Sequence, residues 1–569
     1  MEKNWKIKEQ GDLAAIEHLS QLLGIDTVLA NLLVQRGITT YDEAKAFFRP
    51  ELSLLHDPFL MKDMDKAIDR IEAALRNRQK ILVYGDYDVD GTTAVALVYS
   101  FLKKFSINLG FYVPDRYQEG YGVSYKGIDY AVNNGFSLII SLDCGIKAME
   151  KVAYARERNV DFIICDHHYP GDTIPDAVAV LDPKRPDCKY PYKELSGCGV
   201  GFKLIQAYSQ KNNLPFEELE SYLDLVAVSI ASDIVPINGE NRILTYFGLK
   251  RLSESPRNGL KSVIKTAGIE SKEITVDDIV FKIGPRINAA GRIESGNNAV
   301  ELLIAEDETY AISMSDKINA FNNTRKSIDT NITTEALKLI ANSPDMKGKY
   351  STVLYNPSWH KGVIGIVASR LIESYYRPTV ILTESNGMAT GSARSVDGFD
   401  LYQAIDSCSD LLENFGGHMF AAGVTLKPEN IPVFKERFEE FVSNNIKKDQ
   451  LAPTIEIDAQ LELRNITPKF YRILKQFQPF GPENMSPVFL TKNVVDNGCG
   501  RVVGTTNEHL KLELIQEAEP FRVYPAIGFQ LAQHFKFINK GNPFDICYSV
   551  EENEFRGNTT LQIRLKDIK

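Results

Sequence analysis

The 569-residue sequence has little of what marks membrane, secreted or strongly basic proteins. No apolar run reaches the about 20 residues that a helix needs to span a bilayer, and the first six residues are too polar to begin a secretory signal. The seven cysteines include no Cys-x-x-Cys pair, so we predict neither a disulfide nor a zinc site. The net charge of −10 excludes a surface coated with DNA-binding charge and leaves room only for a local basic channel. We therefore expect a cytoplasmic protein, and its length predicts several domains.

Three acidic side chains, Asp86, Asp88 and Asp90, directly follow the apolar residues 81–84. An apolar run of this length before a helical stretch predicts a buried strand of an α/β sheet. Carboxylates this close repel one another unless a cation neutralises them, and oxygen-rich sites suit Mg²⁺ or Mn²⁺. The motif therefore predicts a divalent-cation site at the end of a strand.

The same pattern of an apolar run that ends in metal-binding residues occurs three more times. The runs are residues 138–142 before Asp143, residues 162–165 before Asp166, His167 and His168, and residues 225–230 shortly before Asp233. Ligands of open α/β sheets bind beyond the carboxyl ends of the strands, so all four segments are expected at one edge. A single Asp of this kind is more often a helix N-cap or a turn residue. Four such segments together, one with a histidine pair, favour a common site.

These motifs resemble those of the DHH phosphoesterase superfamily and, more narrowly, those of the RecJ exonuclease family. The resemblance runs over roughly residues 50–500, which is far more than one local motif. It rests on Asp86-x-Asp88-x-Asp90-Gly91, Asp143-Cys144-Gly145, Asp166-His167-His168 and Asp233-Ile234-Val235-Pro236, and continues in residues 114–122, 284–292, 359–365 and 416–418.

The hydrophobic pattern divides the chain into five parts. We expect a helical lead-in over residues 1–50, an α/β domain with a largely parallel sheet over 51–285, and a long connector helix within 286–345. A second, smaller α/β domain is predicted over 346–446, and short β-rich runs suggest a small barrel over 447–569. The resemblance implies that the first domain is a DHH phosphoesterase domain and the second a DHH-associated domain that closes over its site. It also implies that the barrel is an OB-like fold that holds single-stranded nucleic acid.

The resemblance also implies hydrolysis of a phosphodiester with two metal ions, Mn²⁺ or Mg²⁺. Asp143 is the candidate bridge between the ions, Asp88 would bind one ion, and Asp90 the other. His167 and Asp233 would complete the second position. Asp86 is a further candidate ligand, although it lies where related phosphoesterases use a different type of ligand.

Two residues beside these ligands are candidates for a role in catalysis. Asp166 is expected to orient a histidine through its ring N–H. His168 can contact the scissile phosphate or protonate the leaving oxygen. The alternative for His168 is a structural role, because two adjacent histidines are commonly one ligand and one structural residue.

An exonuclease must also recognise a strand end, and arginine side chains and exposed backbone N–H groups suit a terminal phosphate. Any one arginine is more often part of a surface ion pair. Ser392 and Arg394 are two residues apart, so in extended backbone they share a face. The resemblance implies a 5′-phosphate pocket built from some of the residues that we place in glycine-containing loops: Arg116, Arg286, Arg292, Ser392 and Arg394. The other candidate substrate-binding residues are Gly416 and Gly417, in a loop that lets the backbone approach phosphate, and His360 and His418, which would face the cleft from the second domain.

The leading hypothesis is a metal-dependent exonuclease that degrades single-stranded DNA from its 5′ end in repair and recombination. The resemblance implies single-stranded DNA, a single-strand-binding protein and a helicase as partners, and a monomer suffices. The alternatives are a phosphodiesterase for short oligonucleotides or cyclic dinucleotides, an inorganic pyrophosphatase and a non-catalytic scaffold. Residues 454–569 argue against the first alternative, and the complete set of motifs argues against the last.

Overall fold

The computed structural model describes residues 2–516, 519–555 and 558–569. The chain forms two compact units, which we call the α/β unit and the composite unit. The α/β unit comprises Arg49–Ser327 and Pro479–Met485, and the composite unit comprises Met1–Phe48, Ile328–Gln478 and Ser486–Lys569. None of the helices in the described part of the chain combines the length and the hydropathy of a membrane span.

The N-terminal segment is helical, as the spacing of its leucines predicts. It contains strand β1 (Asn4–Ile7) and helices α1 (Leu13–Leu23), α2 (Thr27–Val34) and α3 (Tyr41–Phe48). Asp12 and Asp26 start the first two helices because their carboxylates accept backbone N–H groups of the first turn. Leu19, Leu29 and Leu33 are fully buried, so the apolar face of each helix packs inward.

The α/β unit is built on a five-stranded sheet that is entirely parallel, which confirms the predicted fold class. The strand order is β3-β2-β4-β5-β6, so the direction of winding reverses between β2 and β4. In such sheets the crevice for a ligand opens where the order reverses. The elements are α4 (Met64–Arg76), β2 (Lys80–Gly85), α5 (Val89–Leu102), β3 (Leu109–Tyr112), α6 (Tyr125–Asn133), β4 (Phe136–Leu142), α7 (Met149–Arg156), β5 (Asp161–Cys165) and β6 (Ala179–Leu181).

Helices follow the sheet, and one of them corrects the expectation that residues 225–230 form a strand. These residues lie in a helix whose side chains are buried all round, and a short run of this kind does not distinguish a buried strand from a buried helix. The helices are α8 (Gly197–Lys211), α9 (Glu217–Glu220), α10 (Leu223–Ser232), α11 (Gly239–Glu254), α12 (Asn258–Thr266), α13 (Val276–Asp278), α14 (Gly284–Ile293), α15 (Asn297–Leu303) and α16 (Glu308–Asn342). The 35 residues of α16 are the predicted long connector helix, in continuous form.

The composite unit contains a second, mixed sheet of five strands in the order β10-β11-β9-β8-β7. Two segments that we expected to be loops are strands here, because Ser392 and Arg394 lie in β9 and Gly416, Gly417 and His418 lie in β10. The elements are β7 (Thr352–Tyr355), α17 (Ile364–Ser374), β8 (Thr379–Ser385), β9 (Met388–Arg394), α18 (Leu401–Asp406), β10 (Leu412–His418), β11 (Ala421–Leu426) and α19 (Ile431–Asn445).

The C-terminal part of the composite unit is the predicted barrel. Strands β14, β18, β19, β17 and β16 pair in turn, and β16 pairs back with β14, which closes a five-stranded barrel. Strand β12 lies outside it and pairs in parallel with β1. The elements are β12 (Thr454–Ile457), β13 (Ala459–Gln460), α20 (Pro468–Lys475), β14 (Phe489–Asp496), β15 (Arg501–Val503), β16 (His509–Gln516), β17 (Glu519–Gly528), α21 (Phe535–Ile538), β18 (Phe544–Phe555) and β19 (Asn558–Ile568).

Candidate metal centre

The acids of the α/β unit converge where the strand order reverses. Asp86 follows β2 and Asp143 follows β4, so the two central strands deliver both carboxylates to the crevice. Asp143 has a φ of 58°, a left-handed conformation that is uncommon for a residue with a side chain. Backbone strain of this kind is concentrated at functional sites.

The first acidic motif is shaped by the start of α5. Asp88 is the N-cap residue, and its Oδ1 accepts the backbone N–H of Gly91 at 3.0 Å. Asp86 is fully buried and its Oδ1 accepts the backbone N–H of Gly122 at 3.2 Å. A Cβ atom on Gly91 would lie 2.4 Å from the carbonyl oxygen of Asp86, so only glycine fits at this position in the first turn of α5.

His167 is oriented with one ring nitrogen free for a ligand. Its Nδ1 lies 3.0 Å from the carbonyl oxygen of Leu195, so Nδ1 carries the hydrogen and donates it. Its Nε2 lies 3.2 Å from Asp143, 3.6 Å from Asp233 and 3.7 Å from Asp90. Burial lowers the pKa of His167, so the ring is neutral and Nε2 offers a lone pair.

Several polar atoms of this cluster are buried without a hydrogen-bond partner in the described part of the chain. They are Asp86 Oδ2, Asp143 Oδ2 and His167 Nε2. Burial first, and then the charges of Asp90 and Asp88, raise the pKa of Asp143 well above its ordinary range. A divalent cation would satisfy these atoms and remove the repulsion, and carboxylates with imidazole suit Mn²⁺ or Mg²⁺.

Two triplets of side chains have the spacing of a metal site. In each triplet the candidate ligand atoms lie within 4.8 Å of one another. The triplets are Asp90, His167 and Asp233, and Asp143, His167 and His168. Four of the six predicted ligands, Asp90, Asp143, His167 and Asp233, therefore meet around His167. Asp88 interacts with the side chain of Asp143, and Asp86 is in neither triplet.

His168 and Asp166 form a pair beside the cluster. His168 Nδ1 lies 2.7 Å from Asp166 Oδ1, and His168 Nε2 lies 3.2 Å from the hydroxyl of Tyr121. Burial opposes the charged form of the ring, but the bond to Asp166 and the nearby carboxylates raise the pKa of His168 to about 9. Asp166 also accepts the backbone N–H groups of His167 and Ile146. Its oxygens are occupied by these donors, which fits the predicted orienting role better than a metal ligand.

Arg116 and Arg292 lie beside the acidic motif. The guanidinium of Arg116 is 4.8 Å from the ring centre of Tyr87, and its charge acts on the carboxyl of Asp86. The charge of Arg292 also acts on Tyr87, and its carbonyl accepts the hydroxyl of Tyr117. Arg116 lies in a turn as expected, whereas Arg292 lies in helix α14, which corrects the predicted loop.

Arg286 also lies in α14 and not in a loop. Its Nε donates to Asn319 at 3.1 Å, and it donates to the carbonyl oxygen of Lys282 at 2.7 Å. α14 continues directly from a π-helical turn over Ile279–Ile283, and the proline of the motif lies in the first turn of α14, where it is tolerated because it has no N–H to pair. Arg286 is therefore held on a helix surface in the α/β unit.

The remaining candidates form a group in the composite unit. Arg394 donates to Ser392 Oγ at 2.9 Å, and both side chains lie on one face of β9. Strand pairing places His418 opposite Ala421, which lies opposite Arg394, so His418 shares that face. Gly416 lies in the same row as Ser392, through Gly423. A Cβ on Gly365, at the start of α17, would lie 2.9 Å from Ser392 and Arg394, so this helix packs directly on the pair.

Gly417 and His360 lie at the margins of this group. Gly417 has a φ of 153°, and a Cβ there would lie 2.3 Å from the carbonyl oxygen of Ala421. His360 Nδ1 accepts the backbone N–H of Gly362 at 3.1 Å, which fixes the ring at the start of its turn. Gly417 is therefore required by the backbone, and the bond to Gly362 fixes the orientation of the His360 ring.

The sequence motifs missed three contributors to the centre. Asp182 directly follows β6 and is fully buried, and burial raises its pKa to about 7. The apolar run before it has only three residues, which is too short to predict a strand, although it shares the pattern of an apolar run that ends in an acid. The other two contributors are the carbonyl of Leu195, which contacts His167, and Gly197, which lies close to Asp143. Both belong to a segment far from the motifs in sequence, and nothing in the sequence near them indicates a role in the centre.

Comparison with known proteins finds relatives over nearly the whole chain. Three family models match: the DHH family N-terminal domain over residues 80–230, the DHHA1 domain over 345–444 and the RecJ OB domain over 457–567. The chain is 36% identical over 567 residues to the single-stranded-DNA-specific exonuclease RecJ of Bacillus subtilis, covering 99% of this chain and 70% of that protein. It is 32% identical to the protein of that name from Salmonella typhimurium, with 95% of each chain covered.

Solved structures agree as well. The crystal structure of RecJ from Thermus thermophilus in complex with Mn²⁺ superposes with a TM-score of 0.84 at 26% identity, covering 100% of this chain and 79% of that one. The complex of the same protein with Mg²⁺ gives a TM-score of 0.78 at 25% identity, covering 100% and 78%. The chain belongs to the RecJ family of the DHH group, and its relatives from Bacillus subtilis and Salmonella typhimurium carry the name single-stranded-DNA-specific exonuclease.

Proposed function

We propose that this protein is a metal-dependent exonuclease that hydrolyses single-stranded DNA from its 5′ end. The observation that supports it most is the cluster of buried carboxylate and imidazole atoms without partners where the strand order reverses. Fold and family agree with this interpretation, because members of the RecJ family are named for the same activity.

We assign the metal ligands to the side chains that meet around His167. Asp90, Asp233 and His167 would hold one ion, Asp143 would bridge, and Asp88 would hold a second ion. Asp86 is fully buried with one unpartnered oxygen and is an additional candidate ligand. When bound, two ions supply an activated water and neutralise the charge that develops on the phosphate.

His168 is the residue that we propose to act on the leaving group. With a pKa of about 9 the ring is protonated at neutral pH, and its Nδ1–H is engaged by Asp166. Its Nε2–H can therefore be given to the leaving 3′ oxygen, which is general acid catalysis. Tyr121, whose hydroxyl lies 3.2 Å from Nε2, holds the ring in place until substrate arrives.

We propose that the Ser392 and Arg394 pair binds the 5′-terminal phosphate. A guanidinium and a hydroxyl on one strand face, with a backbone of small residues around them, form a compact set of donors for phosphate oxygens. Gly416 and His418 lie on the same face and would add contacts to the terminal nucleotide. Arg116, Arg286 and Arg292 in the α/β unit are proposed as further contacts for phosphates of the strand.

The barrel carries a surface that suits single-stranded DNA. Three exposed cationic side chains lie in one row across the strands of the barrel: Arg501, Lys511 and Arg564. The row follows from the pairing of β15 with β16, of β16 with β17 and of β17 with β19. Arg564 lies 5.3 Å from the ring centre of Phe529, which is exposed and also contacts His509. The cationic side chains can bind the phosphates of the strand, and the neighbouring aromatic ring can stack on its bases. Together they form a surface that binds single-stranded DNA without reading its sequence.

The wider assignments are part of the same proposal. We propose that the protein acts in DNA repair and recombination as a cytoplasmic monomer. Its proposed partners are a helicase and a single-strand-binding protein. We also propose that the chain has five parts, with boundaries near residues 50, 285, 345 and 446. Light scattering of the purified chain would test the monomer. Pull-down with each partner protein would test the assembly.

The deciding experiment uses the purified full chain with Mn²⁺ and 5′- or 3′-labelled oligonucleotides, single- and double-stranded. We expect release of labelled mononucleotide at once from the 5′-labelled single strand and late from the 3′-labelled one. Degradation of the duplex at the same rate, or loss of the 3′ label first, would contradict the proposal. Lys511→Ala should reduce the slope of log affinity against log salt by about 0.7, whereas Lys492→Ala, an exposed lysine outside the row, should leave it unchanged.

A further inference from the structure

Asp90 is held in place by a helix from a distant part of the chain. Its Oδ2 accepts the backbone N–H of Gly197 at 2.7 Å, and its Oδ1 accepts that of Cys198 at 2.8 Å. These are the first two residues of α8, whose N–H groups have no partner within the helix. Asp90 therefore caps a helix that begins more than a hundred residues later, and the helix dipole favours its negative charge.

A third donor to Asp90 comes from α10. Ser229 Oγ lies 2.7 Å from Asp90 Oδ1 and 2.6 Å from Ser196 Oγ. A carboxylate only accepts, so the hydroxyl of Ser229 is the donor toward Asp90 Oδ1. Ser196 Oγ, on the other side of Ser229, is an acceptor for the Ser229 hydroxyl and for the backbone N–H of Gly199 at 3.1 Å. The result is a chain of hydrogen-bonded groups that ends on Asp90.

This chain is enclosed in the protein. Ser196 and Ser229 are fully buried, and Asp90 is 1% exposed. Water cannot replace a lost donor easily in such surroundings, and the low local polarity strengthens each bond. The position of the Asp90 carboxylate therefore depends on these protein donors.

Ser229 also touches the second acid of the same triplet. Its carbonyl oxygen accepts the backbone N–H of Asp233 at 2.9 Å, in the last turn of α10. One residue thus fixes Asp90 through its side chain and Asp233 through its main chain. The two acids are 143 residues apart in sequence, yet their ligand atoms lie within 4.8 Å of each other and of His167 Nε2.

We infer that Ser229 is a positioning residue for the metal centre. It holds Asp90 Oδ1 so that Oδ2 stays on the side of His167, at 3.7 Å from Nε2. The inference rests on the metal site of the proposed function. It goes beyond that proposal because Ser229 is neither a ligand nor a substrate contact.

The test compares Ser229→Ala with Ser209→Ala in the full chain. Ser209 is a buried serine of α8 whose hydroxyl has no hydrogen-bond partner in the described part of the chain, so it controls for the loss of a buried hydroxyl. Losing a partner of a metal ligand typically weakens metal affinity 10- to 100-fold. Because two backbone donors to Asp90 remain, we expect about tenfold weaker Mn²⁺ binding for Ser229→Ala and no change for Ser209→Ala.

The readout is the dissociation constant for Mn²⁺, from electron paramagnetic resonance of the free ion, together with the unfolding midpoint of the metal-free protein. A merely structural role for Ser229 would lower the midpoint and leave the Mn²⁺ constant unchanged, which would overturn the inference. If Ser229→Ala does not fold, Ser229→Cys keeps the volume with a weaker donor, and affinity equal to wild type would overturn it likewise. Failure of the wild-type chain to bind Mn²⁺ would instead overturn the proposed function.

Discussion

Replacing Asp233 by Asn should have opposite effects on the metal-free and the Mn²⁺-loaded protein. The ligand oxygen of Asp233 lies within 4.8 Å of that of Asp90. Burial first, and then the charges of Asp90 and Asp88, raise the pKa of Asp233 well above its ordinary range. Ionised Asp233 therefore destabilises the folded metal-free protein, and Asn removes that charge while keeping the shape.

The size of this effect follows from the distance. Two unit charges 4.8 Å apart repel by about 3 kcal/mol at an effective dielectric constant of about 20. The side chain of Asp233 is 29% exposed, so solvent and salt reduce this value to about 1–3 kcal/mol. We expect Asp233→Asn to raise the free energy of unfolding of the metal-free protein by that amount at pH 8.

The effect has a defined dependence on pH. The folded-state pKa of Asp233 lies above the unfolded value of about 3.9, so wild type loses stability as the pH rises from there through the folded-state pKa. The gain from Asp233→Asn should be absent near pH 4, grow with pH and level off above the folded-state pKa. With Mn²⁺ at about 1,000 times the wild-type dissociation constant the order reverses, because wild type then gains about 4.1 kcal/mol, which exceeds the advantage of the variant, and the variant has lost a ligand.

The assay is urea unfolding of the full chain, following the transition that Mn²⁺ shifts in wild type, in EDTA and in Mn²⁺ at several pH values. Asp65→Asn, which changes an exposed carboxyl of α4, is the matched control and should alter neither curve by more than about 0.5 kcal/mol. A variant less stable than wild type in EDTA at pH 8, or one stabilised by Mn²⁺ as strongly as wild type, would refute this account of the site.

Three further substitutions test other parts of the structure. His168→Gln should cut turnover by about 10²–10⁴ while Mn²⁺ content stays that of wild type; normal turnover would remove His168 from the chemistry. Gly197→Ala places a Cβ 2.6 Å from the Cβ of Asp143, so Mn²⁺ affinity should fall by at least about tenfold; unchanged affinity in titrations would show that α8 can shift at no cost. Arg394→Ala should slow cleavage of 5′-phosphorylated strands more than that of 5′-hydroxyl strands, and an equal loss for both would contradict the terminal-phosphate assignment.

The convergence of the acids could be predicted because it follows from a simple rule of parallel sheets. Asp86, Asp143 and Asp166 each come directly after an apolar strand, and the carboxyl ends of parallel strands lie at one edge. The rule needs only local patterns and the handedness of the connections. It therefore gave the edge at which the site lies, although not the role of each residue.

The predictions that were wrong share a different cause. Residues 225–230 were expected as a strand and lie in α10, because a run that is buried on all sides has no period to read. Arg292 and Arg394 were expected in loops because glycines surround them, yet these glycines serve close packing in a helix and a strand. A Cβ on Gly291 would lie 2.7 Å from the carbonyl oxygen of Tyr87, and one on Gly391 would lie 2.4 Å from Leu382. Glycine marks close approach as often as it marks a turn, and sequence alone does not separate the two uses.

What the sequence could not supply is the identity of the groups that hold each ligand. The Nδ1 of His167 is directed by the carbonyl of Leu195, and Asp90 is directed by the first N–H groups of α8 and by Ser229. Backbone atoms carry no residue-specific signal, and a serine in an apolar helix is usually only a tolerated small residue. The start of α8 therefore does two things at once, since it completes a helix terminus with Asp90 and brings the Leu195 carbonyl to His167. A change at this helix start, or at Ser229 of α10, should impair metal binding although every ligand is still present, which is why Gly197 and Ser229 test the arrangement of the site in a way that replacing the conspicuous acids does not.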